Sequence, residues 1–180
     1  MPTPKLPLHN LSDHHSGLTQ AVSDCFSEAV SVCLDRHHES PAEFKIQNSS
    51  NEMNALAEWA QPDERIKRAW ANEIDTTEAG AYACILAAVE LANGLVAVHR
   101  AHTKTGADYY VTPSGSSLED LENCIRLEIS GLDKGNESSV ARRLDEKKEQ
   151  AAAGASNLPA MAGVVGFKAR LIMLEPLGEK

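Results

Sequence analysis

Residues 75–100 read DTTEAGAYACILAAVELANGLVAVHR, and this stretch decides the fold because its periodicity changes at Gly94. Asp75 and Glu78 have the spacing of a capping box, which predicts the start of a helix that ends at Gly94. The body of this helix is dense in alanine and glycine, and such small side chains allow close packing against a sheet. After Gly94 the apolar residues follow a period of two, which predicts a strand over 95–101. The stretch therefore indicates an α/β fold.

The chain that follows alternates between strand and helix patterns. In order, the segments are ADYYV (107–111), NCIRLEISG (123–131), the charged helix ESSVARRLDEKKEQ (137–150) and FKARLIML (167–174). Residues 151–166 are mostly small and predict a loop, with AAAGASNLPAMAG as its most mobile part. From Asp75 onward the predicted order is helix, strand, strand, strand, helix, strand.

The first 74 residues carry weaker patterns. Residues 1–16 are rich in proline and histidine and predict a flexible arm. Residues 17–74 predict a mainly helical addition with one short strand. Its predicted elements are a helix from 17 to about 37–40, a strand over 42–47, and helical pieces over 52–60 and 63–71. The core then occupies 75–180, and a chain of this size is expected to form one compact domain.

The composition limits the classes of function. The 180 residues include 17 Lys and Arg against 26 Asp and Glu, a formal net charge of −9. This excess repels phosphate backbones at long range and disfavours a protein that coats nucleic acid or an anionic membrane, although a small local phosphate site is compatible with it. No apolar stretch approaches the roughly 20 residues of a membrane span, and the start MPTPKLPLHNLSDHH is unlike a secretory signal.

The spacing of the cysteines indicates the redox environment of the protein. Cys25, Cys33, Cys84 and Cys124 are widely spaced and form no CxxC pair. This spacing favours free thiols in a reducing environment over a disulfide framework or a thiolate zinc site. We therefore expect a cytoplasmic protein with no membrane partner.

Two acidic residues stand inside predicted strands. Asp108 begins its strand, and Glu128 lies between Leu127 and Ile129 in a strand expected to be central. Burying a carboxylate in a packed strand costs folding free energy, so such a residue usually has a structural or functional role. Two such carboxylates on adjacent strands, joined by a third from a helix N-terminus, would form the oxygen-ligand set of Mg²⁺ or Mn²⁺. Such an ion binds phosphate oxygens and activates water.

Both acidic residues also have a purely structural interpretation. Asp108 would pair with Lys104 or cap the preceding turn. Glu128 would form a salt bridge with Arg126 or Arg170 across the sheet. The sequence alone leaves the metal site and these structural roles open.

The element order and the positions of the acidic residues resemble the PD-(D/E)XK phosphodiesterase superfamily, which has the restriction-endonuclease-like core helix–strand–strand–strand–helix–strand. The resemblance covers about residues 75–175 and depends mainly on the element order. It implies that Asp108 is the family's Asp on the second strand, that Glu128-Ile129-Ser130 stands at (D/E)XK, and that Glu78 is the acidic residue on the first helix. It further implies a nuclease or phosphodiesterase that uses Mg²⁺ or Mn²⁺ and no organic cofactor.

Ser130 departs from the family pattern, because the family has a lysine there that positions or activates the attacking water. The resemblance implies a substitute cation from a nearby element. The candidates are Lys134, in the loop after Glu128, and Lys147, Arg143 and Lys148 on the following helix.

A cluster of basic and histidine side chains lies on the first hairpin and its turn. Its members are His99, Arg100, His102 and Lys104. In a nuclease these residues would contact phosphate or the leaving group, with His99 near the reacting atoms. Their structural alternative is an exposed hairpin edge, whose charges discourage edge-to-edge pairing.

Two further function classes compete with the nuclease. One is a catalytically inactive module on the same fold, which binds another protein in a regulatory, defence or toxin-linked system; Ser130 and the net charge of −9 both favour it. The other is a small-ligand binding protein of an unrelated α/β fold. The expected partner is nucleic acid for an active enzyme and another protein for an inactive module. The oligomeric state is open, and a homodimer is compatible with the sequence.

Overall fold

A seven-stranded mixed sheet lies at the centre of the computed structural model, which describes residues 1–116 and 121–178. The strands are β1 (Ala42–Asn48), β2 (Asn51–Ala57), β3 (Leu95–Arg100), β4 (Tyr109–Pro113), β5 (Ile125–Leu132), β6 (Ala160–Gly166) and β7 (Leu171–Pro176). Their order across the sheet is β2-β1-β7-β6-β5-β4-β3. The β5–β6 and β1–β7 pairs are parallel, and the other neighbours are antiparallel.

Helices cover both faces of this sheet. They are α1 (Leu11–His14), α2 (Gln20–Asp35), α3 (Glu64–Ala69), α4 (Glu73–Asn93) and α5 (Glu137–Ala152), with a 3₁₀ turn at Leu121–Asn123. The larger apolar core joins α2 and α4 to one face of the sheet. A smaller core joins Val140 and Leu144 of α5 to the other face. The predicted α/β class is therefore confirmed, with the sheet between two helical layers.

The central helix α4 begins earlier than the capping box predicts. The Asn72 side chain accepts hydrogen bonds from the backbone N–H groups of Ile74 and Asp75, so Asn72 is the N-cap. The predicted cap at Asp75 is wrong, because this residue already lies in the first turn. The predicted end is confirmed: Gly94 has φ +65°, the left-handed conformation that suits glycine at a helix C-terminus.

The N-terminal part of the chain differs from the prediction in two respects: residues 1–16 pack against the core, and residues 17–74 contain two strands instead of one. Leu6, Leu8 and Leu11 are buried in the main core, so the predicted flexible arm at 1–16 is wrong. Residues 52–60 do not form the predicted helix, because residues 51–57 are β2, whose inward side chains alternate with exposed ones. Both β1 and β2 extend the central sheet through the β1–β7 pair.

The end of the chain contains a strand that the sequence pattern did not predict. Residues 160–166 were expected to belong to a loop, yet they form β6, which is buried along its whole length. At Gly163 a Cβ atom would lie 2.6 Å from a methyl group of Ile85 on α4, so glycine permits the helix to approach the sheet. The predicted final strand at 167–174 is β7, a second strand after α5, and its observed bounds are Leu171–Pro176.

From Glu73 onward the element order is helix, strand, strand, strand, helix, strand, followed by β7. The predicted core range of 75–180 also contains 117–120 and 179–180, which lie outside the described residues. Across the described ranges, every helix is too short or too polar to cross a membrane.

Strand β5 separates from β4 halfway along its length, and this separation positions the site described below. The β4–β5 ladder begins at Tyr109 and Leu127 and runs back to Ile125 on β5. On its other side, β5 stays paired with β6 as far as Leu132. The carboxyl half of β5, from Glu128 onward, therefore borders a gap in the sheet.

Candidate active site

A cleft of about 1220 Å³ opens where β4 and β5 separate. The start of α4, the turn between β3 and β4, the carboxyl half of β5 and the end of α5 form its walls. Eight of the eleven candidate residues that the sequence indicates line this cleft: Glu78, Arg100, His102, Lys104, Asp108, Glu128, Arg143 and Lys147. The other three, His99, Lys134 and Lys148, lie outside the lining. The structure thus gathers most of the predicted set in one place.

Asp108 occupies the point where the two strands part. Its backbone N–H donates to Leu127 O at 2.8 Å, and its Oδ2 accepts from the backbone N–H of Ile129 at 2.7 Å. The carboxylate therefore satisfies a β5 donor that lies beyond the β4–β5 ladder. Its ion-pair partner is Arg100, 3.6 Å away, rather than the predicted Lys104. Burial raises the pKa of Asp108, while the Ile129 hydrogen bond and the Arg100 charge oppose this shift.

Glu128 is the more deeply buried carboxylate, with 4% of its side chain exposed. Its Oε1 lies 2.8 Å from Lys147 Nζ, so its partner is neither Arg126 nor Arg170. Burial raises the pKa of Glu128, the negative charge of Asp108 raises it further, and Lys147 lowers it. The negative charge of Asp108 thus disfavours the ionisation of Glu128.

Among the cations considered as substitutes at the Ser130 position, Lys147 is the one that contacts Glu128. Arg143, one turn earlier on α5, donates to Ser130 Oγ at 3.4 Å. The other two form ion pairs elsewhere: Lys134 with Glu73 at 3.5 Å and Lys148 with Glu175 at 2.7 Å. Helix α5 therefore supplies two cations to the cleft, spaced at i and i+4 on the same helix face.

Tyr82 connects three of the site's charged groups, a role that no sequence pattern indicates. Its hydroxyl lies 3.2 Å from Glu78 Oε1 and 3.1 Å from Asp108 Oδ1, and it accepts from Arg100 Nη2 at 3.0 Å. Burial and the neighbouring carboxylates raise the pKa of Tyr82, so the hydroxyl keeps its proton and donates to one carboxylate at a time. The only sequence signal was its position one helical turn after Glu78, inside an otherwise apolar helix.

Arg100 is held in place by two aromatic rings. Its guanidinium carbon lies 4.8 Å from the centroids of both Tyr82 and Tyr109. Cation–π contacts of this kind restrict the side chain while leaving its remaining N–H donors available. Half of the Arg100 side chain is exposed, so it presents those donors to the cleft.

A buried arginine positions the turn that carries His102 and Lys104. Arg126 donates to the backbone oxygens of Thr105 at 2.7 Å, Ala151 at 3.0 Å and Leu158 at 3.2 Å. It thereby joins the β3–β4 turn to the end of α5 and to the loop before β6. Gly154 allows this close approach, because a Cβ atom there would lie only 2.1 Å from Thr105 O.

The expected three-carboxylate metal centre is not assembled. Within residues 1–116 and 121–178, no three His, Cys, Asp or Glu side chains form a group that could hold a metal ion. Glu78 lies across the Tyr82 hydroxyl from Asp108 and contributes through that hydrogen bond. The donors that remain, Asp108 and Glu128, fit the mode in which Mg²⁺ is bound by one or two carboxylates while water and substrate phosphate complete its shell.

The charge balance of the cleft differs from that of the whole chain. Its lining contains four basic residues, Arg100, Lys104, Arg143 and Lys147. Against them stand five acidic residues, Glu73, Glu78, Asp108, Glu128 and Asp133. The cleft is therefore almost balanced in a chain whose net charge is −9. A local site for a phosphate group is compatible with this arrangement.

Comparison with known proteins yields no relative. No protein-family model, curated protein or solved structure matches the chain. The functional interpretation therefore depends on the geometry of the cleft.

Proposed function

We propose that this protein is a divalent-metal-dependent phosphodiesterase, a nuclease of the PD-(D/E)XK type, with Asp108, Glu128 and Lys147 at its reaction centre. One observation carries the proposal: the Glu128–Lys147 pair, 2.8 Å apart, lies in the same cleft as Asp108, at the point where β4 and β5 separate. A buried carboxylate pair beside a lysine ammonium group is an arrangement suited to phosphoryl chemistry.

The topology supports the same assignment. The elements α4, β3, β4, β5, α5 and β6 follow the order helix–strand–strand–strand–helix–strand, and the four strands are neighbours in the sheet in that order. Asp108 directly precedes the second of these strands, and Glu128 lies in the third. The family resemblance implies an Asp on the second strand and a Glu on the third; Glu128 has the expected position, and Asp108 lies one residue before its strand.

In this proposal Asp108 and Glu128 would hold the ion through their carboxylate oxygens. The bound ion would polarise the phosphoryl group and lower the pKa of a water ligand. Lys147 takes the role of the lysine that Ser130 replaces: its ammonium group orients Glu128 and stabilises negative charge on the phosphoryl oxygens. Arg143 reinforces the positive field from the same helix face.

The remaining basic residues of the cleft bind the substrate. Arg100, restrained between two tyrosine rings, offers free guanidinium donors to a phosphate oxygen. Lys104 and His102 lie on the exposed turn that Arg126 anchors, where they contact the neighbouring phosphate or sugar. Since His99 and Lys134 lie outside the lining, we assign neither a role in the chemical step.

A catalytically inactive module that binds another protein is the second candidate. Ser130 favours it, since the family's lysine is absent from its usual position. In that case the Glu128–Lys147 pair would be a buried structural ion pair, and the cleft would need no ion.

Cleavage of a labelled oligonucleotide by the purified protein tests the proposal. The reaction is compared in Mg²⁺, in Mn²⁺ and with a chelator, using the wild-type protein, Asp108→Asn and Glu128→Gln. Asp145→Asn, an exposed acidic position on α5, is the matched control. Each site variant keeps the size of its side chain and loses one charge.

We expect metal-dependent cleavage that falls by at least a hundredfold in both site variants, the scale of losing one group that stabilises the transition state, and that is unchanged in Asp145→Asn. Cleavage that persists in Asp108→Asn would identify a contaminating nuclease or a different site. Absence of cleavage under all conditions would favour the protein-binding module.

A further inference from the structure

One exposed histidine ring lines the cleft entrance, and a second exposed histidine ring lies beside it, outside the lining. His102 lies at the rim, and its ring centroid is 5.5 Å from that of His99. The His99 ring lies in turn 6.2 Å from Tyr110 on β4. Both histidines are exposed, so their outer faces are accessible to a ligand. Histidine rings are among the side chains on which unstacked bases pack.

An exposed apolar side chain lies at another part of the rim. Ile74, in the first turn of α4, is 78% exposed and lines the cleft. An apolar side chain of this size in water offers contact area to the flat face of a base. In a duplex those faces are stacked on each other and unavailable, whereas in a single strand they are free.

The distribution of charge opposes a duplex. The cleft lining holds four basic and five acidic residues, so most of the chain's net charge of −9 belongs to the rest of the sequence. A duplex has two phosphate-bearing strands, with one charge per about 1.7 Å of its axis, so this net charge repels it more strongly than it repels a single strand. A single strand brings fewer phosphates into the same field.

We propose that the cleft selects a short single-stranded segment of nucleic acid over a duplex, with phosphates at Arg100, Lys104, Arg143 and Lys147 and bases against the His99–His102 rings and Ile74. This inference rests on the proposed function, since it names the substrate class of the same site. The volume of about 1220 Å³ is slightly above the range of roughly 300–1,000 Å³ that is usual for small-molecule pockets, which suits a segment of a few nucleotides.

Equilibrium binding followed by fluorescence anisotropy tests the inference without depending on cleavage. The probes are labelled oligothymidylate, oligouridylate of equal length, and the duplex of each with its complement. Binding is measured in Ca²⁺, with the integrity of each probe checked on a gel. The proteins are the wild type, the double variant His99→Ala/His102→Ala, and the control His9→Ala, an exposed histidine that contacts Glu58.

We expect at least one of the single strands to bind ten times more tightly than its duplex, and the double variant to lose at least fivefold in single-strand affinity while His9→Ala is unchanged. The plot of log K against log salt should have a slope no steeper than about −3, because the cleft has four cations. Comparing the affinities of oligothymidylate and oligouridylate shows whether the cleft prefers DNA or RNA.

Equal or tighter binding of the duplex, no binding of any probe, or an unchanged affinity of the double variant would overturn the inference. Its failure is distinguishable from that of the proposed function. Metal-dependent cleavage without single-strand preference removes this inference alone. Selective single-strand binding without cleavage in any metal removes the enzymatic proposal and leaves the binding preference in place.

Discussion

Lys147 Nζ donates to Glu128 Oε1 at 2.8 Å, so a residue of α5 completes a site on β5 that lies 19 positions earlier in the chain. The pair is well shielded, with 19% of the Lys147 side chain and 4% of the Glu128 side chain exposed. Lys147 also donates to Gln150 Oε1 at 3.0 Å, which holds its ammonium group at the cleft wall. A cation supplied by the helix thus lies beside Glu128, two positions before Ser130 on the same strand.

Replacing Lys147 with methionine should reduce both activity and stability. Activity should fall by about 10²–10³, as for other single groups that stabilise a transition state. The free energy of unfolding should fall by about 3–5 kcal/mol, because Glu128 would be left buried without its partner. Single-turnover cleavage and urea unfolding measure the two effects.

Lys148→Met is the matched control, since Lys148 is adjacent on the same helix and pairs with Glu175 in a more exposed position. We expect its loss of stability to stay below about 1 kcal/mol, with normal activity. The double variant Lys147→Met/Glu128→Gln should recover most of the stability and none of the activity. Equal behaviour of the two lysine variants would contradict the assigned role of Lys147.

Tyr82→Phe removes the hydroxyl that joins Glu78, Asp108 and Arg100 while preserving the ring. The ratio kcat/KM should fall about tenfold or more, the value of a hydrogen bond to a charged group. The free energy of unfolding should also fall, by about 1.5–3 kcal/mol, while the ring keeps its contacts with Phe26 and Tyr109. Tyr110→Phe on the other face of β4 is the control, and identical kinetics for the two variants would exclude a positioning role for the Tyr82 hydroxyl.

The sequence predicted the elements whose periodicity reflects one buried face. In β5, Leu127 and Ile129 join the large core, while Arg126 and Glu128 turn to the other face, as their alternation indicated. The helix ending at Gly94 was equally readable, since that position has φ +65°. Local sequence patterns therefore predict a helix or strand correctly where the buried residues repeat with the period of that element.

Two strands escaped prediction for physical reasons. Strand β6 is buried on both faces and built from small residues such as Ala162 and Gly163, so it shows no alternation and resembles a loop. Strand β2 is an edge strand with mixed composition, in which short helical and strand patterns overlap. In both cases tertiary packing decided the structure over local propensity.

The candidate site was partly predictable because acidic residues within or next to apolar strand patterns are conspicuous. Asp108 and Glu128 were found in this way. The sequence could not choose between Lys134 and Lys147, because the choice depends on how α5 crosses the sheet. For the same reason the sequence does not indicate Tyr82 and assigns Arg126 to Glu128: their actual partners, Asp108 and Thr105, are 26 and 21 positions away in sequence.

Arg126→Met should loosen the β3–β4 turn, because three backbone oxygens would lose their donor. The free energy of unfolding should fall by about 3 kcal/mol or more, since each hydrogen bond to a charged group contributes about 1.5–3 kcal/mol. Hydrogen exchange of the 101–107 amides should accelerate. Arg142→Met, an exposed arginine on α5, should show neither effect. Slow exchange at 101–107 in Arg126→Met would show that the turn is held by other contacts.

The buried environment of His15 leads us to expect a loss of stability in mild acid. It is fully buried, its Nδ1 accepts from Ala97 N at 2.9 Å, and its Nε2 lies 3.1 Å from Glu90 Oε2. Burial lowers the pKa of His15, the Glu90 carboxylate opposes this shift, and His14 adds to it. In the unfolded chain His15 binds a proton near pH 6.5, whereas in the folded chain it stays neutral to a lower pH. Its contribution to the free energy of unfolding is therefore fully present above pH 6.5 and is lost as the pH falls below that value.

Urea unfolding at about pH 7.5 and about pH 5.5 measures this effect. His15→Asn, whose side-chain oxygen can still accept from Ala97 N, should show a smaller pH dependence than the wild type. Asp108 and Glu128 have raised pKa values, so their contribution makes the folded state more stable as the pH falls. Because the wild type and His15→Asn both contain these residues, the difference between the two proteins reports on His15. His9→Asn, at an exposed position, should retain the wild-type pH dependence, and an unaltered pH dependence in His15→Asn would refute the role of His15.

Calorimetric titration with Mn²⁺ tests the central claim most directly, because the claim is that Asp108 and Glu128 hold one ion together. The account predicts one bound ion per wild-type chain, an affinity at least tenfold weaker in Asp108→Asn and in Glu128→Gln separately, and wild-type binding in Asp145→Asn. Absence of Mn²⁺ binding by the folded wild-type protein, or binding that survives unchanged in either site variant, would contradict it.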